Sequence, residues 1–293
     1  MHELWLASCT YKSTTYVRSK TNMSTTAIFR MELNGAPVQL AELQALWQSK
    51  SYGHFSVLPV HNKRVRGLHL HLTRLQNNTQ ILFDHELDTE RLRTYIRKAV
   101  ANDTAPLMVR VEILARQSIR TQTIGALEPD ILVSVRDLSA EAALPLRIQT
   151  VQYQRDLPQV KHAGTCGLNY QYRLAQLNGF DDALFTDPAG HISEGSAWNI
   201  GFFDGRQIIW PDASVLPGIA MQLIQAKLRK KQIPFEVRPV HLREIPKFRA
   251  AFLTHVLVGA QPIASIDDIP FEIDIELNKL LKACYEANPE EEI

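Results

Sequence analysis

One lysine, one glutamate and one arginine, far apart in the chain, are the residues best suited to shared chemistry. Lys161 follows a loop that contains Pro158 and precedes His162. A lysine becomes a nucleophile only when burial or a neighbouring cation lowers its pKa toward neutrality. Such a lysine can form a Schiff base with an aldehyde cofactor and, once displaced by a substrate amine, shuttle a proton. Glu194 lies in Ser193-Glu194-Gly195-Ser196, which reads as a turn where glycine lets backbone approach a ligand. A carboxylate there could face a pyridine nitrogen, keep it protonated and make the ring an electron sink. Arg74, in His71-Leu72-Thr73-Arg74-Leu75, offers a planar fork suited to phosphate. Leu216-Pro217-Gly218-Ile219-Ala220 reads as a helix start whose free N–H groups can hold a phosphate without any side chain. Taken singly, each has a plainer reading: a loop lysine, a solvated turn glutamate, a surface arginine and an ordinary loop-to-helix junction.

The elements that must position these residues follow from periodicity. Segments 26–33, 51–60 and 65–70 read as strands, the last two joined by the turn His61-Asn62-Lys63. Residues 71–83 and 89–101 read as helices, the second with Leu92, Tyr95, Ile96 and Val100 on one face. Segments 108–115 and 131–135 are β-branched strands, and 137–145 reads as a connector. Strand 147–153 precedes the lysine, and a helix over 168–178 follows it, with Gly179 as C-terminal cap. Strands 182–186, 199–203 and 207–210 come next, the last two joined at Asp204-Gly205. A helix is expected from Pro217, strands over 235–240 and 248–254, a helix over 274–286, and a frayed tail Pro289-Glu290-Glu291-Glu292. Strands and helices mix without strict alternation, which favours two α/β lobes with mixed sheets over a barrel or a doubly wound sheet.

Bulk composition narrows the function classes. The 293 residues suffice for one large domain or two ordinary ones, and 45% apolar with 22% charged residues is ordinary globular composition. A net charge of +1 gives no reason to expect nucleic acid or a membrane surface as partner. Lys227, Arg229, Lys230 and Lys231 form the densest basic run, where they complement a helix C-terminus. Cys9, Cys166 and Cys284 are dispersed and odd in number, so neither a disulfide framework nor a metal site is indicated, and a reducing, cytoplasmic setting is expected. No apolar run reaches the roughly 18 residues of a membrane span. The first 22 residues are polar, Ser/Thr-rich and basic, and are expected to be a peripheral extension that contributes nothing to catalysis.

In this order, Arg74, Lys161, Glu194 and Gly218-Ile219 resemble the phosphate arginine, Schiff-base lysine, pyridine-nitrogen glutamate and phosphate-cup turn of the class IV (fold type IV) pyridoxal-phosphate aminotransferases. That family includes branched-chain aminotransferases, D-amino-acid aminotransferases and 4-amino-4-deoxychorismate lyases. Glu194-Gly195-Ser196-Ala197-Trp198-Asn199 is the nearest match, and Tyr52-Gly53-His54-Phe55 is similar to an early family strand. The resemblance covers roughly residues 27–290. It implies a two-lobed α+β fold like that of D-amino-acid aminotransferase: a peripheral segment 1–22, a small N-terminal α/β lobe over 23–140 and a larger C-terminal mixed-sheet pseudo-barrel lobe over 141–293. It also implies pyridoxal 5'-phosphate between the lobes, held by Arg74, Lys161, Glu194, Gly218, Ile219 and Ala220, with Lys161 catalytic. Apart from the resemblance, Tyr52 is expected on the substrate side and no metal is expected. A homodimer is usual in such proteins.

Two departures bear on subfamily. Ala220 stands where many relatives have threonine, which keeps the backbone N–H but removes a hydroxyl, and Val256 stands where transaminases often carry threonine. The leading expectation is amino transfer from an amino acid or amine to a 2-oxo acid. The alternative is 4-amino-4-deoxychorismate lyase, which turns aminodeoxychorismate into 4-aminobenzoate and pyruvate, and which Lys161-His162 and apolar Val256-Leu257 favour. A third reading is a non-catalytic relative that keeps the fold as a binding module. His162 is expected to pack or cap, Ser196 to serve a turn, and His54, His69, Arg110 and Arg116 to lie near the pocket strands.

Overall fold

The computed structural model describes residues 28–49, 51–116, 119–121, 125, 127–138 and 144–293. Segment 1–22, Cys9 and most of the expected connector, with the lobe boundary near 140, lie outside the described residues. In chain order the first half comprises β1 (Arg30–Leu33), β2 (Ala36–Pro37), α1 (Leu40–Ser49), β3 (Gly53–His61), β4 (Arg64–Arg66), α2 (Leu68–Phe83), α3 (Thr89–Ala99), β5 (Leu107–Leu114) and β6 (Asp130–Asp137). The second half comprises β7 (Leu146–Gln152), α4 (Cys166–Leu177), β8 (Asp182–Thr186), β9 (Ile192–Gly195), β10 (Asn199–Phe203), β11 (Ile208–Pro211), α5 (Ile219–Lys230), β12 (Phe235–Arg238), β13 (Ala250–His255), β14 (Gly259–Ile266), β15 (Ile269–Pro270), α6 (Ile275–Glu286) and β16 (Glu290–Glu292).

Seven strands make the first sheet, in the order β16-β4-β3-β5-β6-β1-β2, with antiparallel pairing throughout. Its two faces separate by the period of two that a strand imposes. Leu58 and Val60 of β3, Val109, Val111 and Ile113 of β5, and Val133 and Val135 of β6 share one buried core with Leu75, Phe83, Leu92 and Ile96 of the helices. The alternate residues Phe55, Val57, Met108, Arg110 and Arg136 line a cleft on the other face. Helix α3 starts where Asp88 accepts a hydrogen bond from Arg91 N–H at 2.9 Å, an N-cap that relieves one of the first-turn donors.

The second sheet runs β12-β11-β10-β13-β14-β7-β8-β9, and β9 also pairs with β10, which closes six strands into a ring. β14, β7 and β8 are parallel neighbours and the other ring pairs are antiparallel. Helices α5 and α6 cover it through Ile224, Leu228, Leu277 and Leu281 against Trp210 and Phe252. The two sheets thus form the expected two-lobed α+β arrangement, with the mixed ring as its pseudo-barrel. Among the described residues, no helix is long and apolar enough to cross a membrane.

Several local expectations are corrected. α1 and β14 have no counterpart in the periodicity reading, Glu194 lies in a strand rather than a turn, and α5 begins at Ile219 with Gly218 as N-cap, two residues beyond Pro217. The frayed tail is a strand: Glu290, Glu291 and Glu292 pair with Arg66, Val65 and Arg64 of β4. Arginines fix it, since Arg64 Nη2 donates to the Glu290 carbonyl at 2.7 Å and Arg97 Nε to the Ile293 carbonyl at 2.9 Å. Ile293 is 2% exposed and packs in the first-sheet core. Ile293→Ala is therefore expected to lower the unfolding free energy by about 2–4 kcal/mol, through lost burial and the cavity left behind. Chemical denaturation checks this, and an unchanged midpoint would mean that the end of the chain is not part of that core.

Candidate active site

Lys161 belongs to the chain between β7 and α4, yet its backbone is stitched to the first sheet. Phe55 N–H donates to the Lys161 carbonyl at 2.9 Å, Ala163 N–H donates to the Gly53 carbonyl at 2.8 Å, and His54 bridges His162. The segment therefore acts as a short extra strand along the start of β3. It aims the amine over the Phe55 ring, 5.0 Å from the centroid. The side chain reaches the cleft but is surrounded by protein. Burial, with the cations Arg74, Arg155 and Arg110, lowers its pKa to about 7 against the opposing pull of Glu194. An amine so placed is substantially neutral near pH 7 and can attack a carbonyl.

Glu194 sits at the seam that closes the ring, opposite Asn199 of β10. Its Oε2 accepts from Leu216 N–H at 3.1 Å and its Oε1 from Arg155 Nη1 at 3.1 Å. Both side chains of the pair are 6% exposed. Burial pushes the Glu194 carboxyl up, while Arg155, the Leu216 N–H and Lys161 hold it down. Arg155 also donates from Nη2 to the Val160 carbonyl at 2.8 Å, so one guanidinium ties the glutamate to the residue before Lys161. The sequence reading missed Arg155, because the only signal was an arginine in a loop after a strand.

The end of the cleft that suits an anion is built from two elements. Asn199 Nδ2 donates to the Leu216 carbonyl at 2.9 Å and so fixes the approach to α5, whose first residues Gly218, Ile219 and Ala220 line the cleft. α5 is a 12-residue helix, and its first-turn N–H groups and dipole favour an anion here. From the other side Arg74 of α2 enters the cleft, with Nη2 donating to Ser56 Oγ at 2.7 Å and Nε buried without a partner. Burial and the nearby Arg155 lower its pKa to about 10, so it remains a cation at neutral pH. Gly218 has little room: a Cβ there would collide with Asn199 Oδ1. Gly218→Ala should force Asn199 off Leu216 and cost about 1–3 kcal/mol of stability. Thermal unfolding reads this, and a melting temperature equal to the parent's would count against so tight a cup.

All six residues expected to hold a cofactor, Arg74, Lys161, Glu194, Gly218, Ile219 and Ala220, line one cleft of about 1220 Å³. Arg110 and Arg136 join them from the first sheet, and Thr254, His255, Val256 and Leu257 from β13 and the turn after it. Arg110 stacks 3.7 Å above Phe55 and pairs with Glu112 at 2.9 Å, and Arg136 contacts the Met108 sulfur. His255 has its pKa lowered to about 4 by burial and then by Lys161, and so is neutral.

Tyr52 is not brought to the cleft, contrary to its expected place on the substrate side. It shares the parity of His54 and Ser56, which face α2, while Phe55 and Val57 face the cleft. Its hydroxyl donates to the Leu82 carbonyl at 2.7 Å and its ring packs edge-on against Phe83. His54 contacts Thr79 Oγ1 beneath α2, and His69 pairs with Glu291 away from the cleft. Arg116 pairs with Asp130. His162 donates from Nε2 to the Asp156 carbonyl at 3.0 Å, and Ser196 Oγ donates to Asp182 Oδ2 of β8 at 3.0 Å.

Comparison with known proteins gives concordant results. The family model described as amino-transferase class IV matches residues 53–266. A probable branched-chain-amino-acid aminotransferase of Aquifex aeolicus (strain VF5) is 28% identical over 97 residues, 32% of this chain and 31% of that protein. The chain thus spans less than a third of the length of that curated relative in the match. The branched-chain amino acid aminotransferase from Thermobaculum terrenum, in its PLP-form, has a TM-score of 0.77 at 19% identity, over 89% of this chain and 94% of that one. A putative 4-amino-4-deoxychorismate lyase from Legionella pneumophila has a TM-score of 0.71 at 20% identity, over 80% and 91%. At such identities the likeness is one of fold.

Proposed function

The chain belongs to the class IV aminotransferases, and we propose that it is a pyridoxal-phosphate-dependent aminotransferase that moves an amino group from an amino acid or amine to a 2-oxo acid. The observation that carries the reading is a lysine with a pKa near 7 in one cleft with a buried carboxylate and an arginine that has an unspent donor. These residues fit the cofactor. The neutral amine suits an aldehyde, the Glu194 carboxylate a protonated ring nitrogen, and the Arg74 fork with the α5 N-terminus a phosphate. When bound, pyridoxal phosphate supplies the aldehyde that condenses with amines and the ring that accepts an electron pair.

The chain's own residues do the rest. Lys161 Nζ would hold the cofactor at its aldehyde carbon and, once displaced by a substrate amine, would take the proton from the substrate Cα and deliver it to that carbon. Glu194 would hold a proton on the ring nitrogen, and Arg155 opposes the upward pull of burial on the Glu194 carboxyl. Arg74 and the Ile219 and Ala220 N–H groups would carry the phosphate charge. Arg110 and Arg136 give the first-sheet side of the cleft a positive field suited to carboxylates. We read the chain as two lobes, with a boundary near 140, whose cleft holds the cofactor, and as a homodimer in solution.

A second reading, 4-amino-4-deoxychorismate lyase, draws on the fold match to the Legionella pneumophila protein and on apolar Val256 and Leu257 at the cleft. One experiment separates the two. Cofactor-loaded protein is mixed with a panel of amino acids and amines, and loss of the visible absorbance of the lysine-bound cofactor is followed. 2-Oxoglutarate-dependent amino transfer supports the proposal. Release of 4-aminobenzoate from aminodeoxychorismate without amino transfer would replace it with the lyase. Absence of any lysine-bound cofactor would overturn both.

A further inference from the structure

Arg74 does not enter the cleft as a free side chain. Its Nη2 donates to Ser56 Oγ at 2.7 Å, and the same hydroxyl lies 2.7 Å from His71 Nδ1. Ser56 of β3 and His71 of α2 are both fully buried. His71 stands three residues before Arg74, so the two share a helix face, and Ser56 closes the chain of contacts from the sheet below.

We propose that Ser56 and His71 are positioning residues that hold the Arg74 guanidinium in the orientation that receives the cofactor phosphate. The proposal rests on the aminotransferase reading for the identity of that phosphate. An arginine only donates, so Ser56 Oγ accepts from Arg74. The single hydroxyl proton then has one good acceptor, His71 Nδ1. This direction requires a neutral ring with its proton on Nε2, and burial with the charge of Arg74 keeps the ring neutral by holding its pKa well below the ordinary value. The opposite direction would leave both the serine proton and the Nε2 lone pair without partners, since Nε2 has none in either case.

The arrangement retains an unpaired buried nitrogen that an apolar residue at position 71 would avoid. A ring kept at that cost has a task beyond filling space, and here the task is to set the Ser56 proton so that the serine's free lone pair faces Arg74. One guanidinium donor is thereby committed to the protein. The fork is held, and Nε, also buried without a partner, stays available.

The test uses apoprotein titrated with pyridoxal phosphate and, separately, with pyridoxal, which lacks the phosphate. Ser56→Ala and His71→Leu should weaken pyridoxal phosphate about tenfold or more, the loss expected for a hydrogen bond to a charged group. Pyridoxal affinity should not change. His71→Asn, whose Oδ1 can take the place of Nδ1, should recover most of the lost affinity. Nitrogen-15 NMR of His71 in the parent protein should show a neutral ring protonated at Nε2. Equal losses for both ligands, no loss for either, or a proton on Nδ1 would overturn the proposal. If His71→Leu fails to fold, Ser56→Ala, smaller by a single oxygen, carries the comparison. A parent protein that binds neither ligand would instead overturn the aminotransferase reading, and the NMR tautomer would still report on the network.

Discussion

Lys161→Ala is expected to lower amino transfer by about a thousandfold or more, because in the proposed function one amine would supply both the covalent hold on the cofactor and the proton shuttle. The loss should appear without loss of fold. The segment is held by backbone contacts, Phe55 N–H to the Lys161 carbonyl and Ala163 N–H to the Gly53 carbonyl, which alanine keeps. Removing a desolvated amine should leave the melting temperature equal or higher. Small primary amines added to Lys161→Ala should restore part of the proton transfer, since the cavity left by the side chain opens onto the cleft. The parent should capture pyridoxal phosphate faster as pH rises through about 7, where the amine loses its proton, and the rate should level off above it. A variant with near-parental kcat, or a capture rate flat between pH 6 and about 8, would remove Lys161 from its assigned role.

Much of the architecture was legible because periodicity is loud where one face is buried. β5 and β6 are β-branched runs whose alternate residues meet the helices, and α3 shows its apolar stripe. The C-terminal cap of α4 was legible too: Gly179 has φ 87°, a conformation that glycine adopts without the strain a side chain brings. What escaped has physical causes. β14 contains Pro262, which argues against an interior strand, yet it lies between β13 and β7, with a register shift between Ile263 and Ser265. β9 is four residues with a polar centre, and its strand character comes from partners on both sides. β16 is acidic and adjoins the end of the sequence. Pairing with β4 and the arginines Arg64 and Arg97, 226 and 196 positions from their partners, make it a strand.

At the site, residue types announced themselves while their supports did not. Lys161, Glu194, Arg74 and the Gly218 turn could be picked out because their order resembles a family pattern. Arg155 could not, because what makes it matter is a carboxylate 39 residues away and a backbone carbonyl five residues away. Ser56 and His71 were invisible for a similar reason. Tyr52 was placed on the wrong side because the parity of β3 is fixed by which residues meet α2, and an aromatic at the strand start suits either face. The lesson is about range: reactive groups carry a signature in type and spacing, but the groups that set their charge and orientation are chosen by tertiary contact.

Glu194→Gln is the second change with a large expected effect, and it separates charge from structure. Glutamine keeps the size and can still accept from Leu216 N–H, but it cannot hold a proton on a ring nitrogen by charge. Turnover should fall on the order of a hundredfold or more, as when a preorganised electrostatic partner is removed. Stability should fall as well, since Arg155 would be left as a buried cation without its counter-charge, a situation that costs about 3 kcal/mol or more. The double variant Glu194→Gln/Arg155→Met removes that cation. It should regain most of the lost stability, because a well-packed apolar residue can replace a buried ion pair with little net change, although the contact to the Val160 carbonyl is also given up. It should not regain turnover. Arg155→Met alone should show the converse linkage. Glu194 loses the cation that opposes its burial, so its carboxyl moves further up, and Lys161 loses a cation that lowers its amine, so the pH of half-maximal cofactor capture moves to higher values. If turnover returned in the double variant together with the melting temperature, the charge on Glu194 would be serving the fold alone, and the protonated-ring chemistry assigned to the cleft would have to be abandoned.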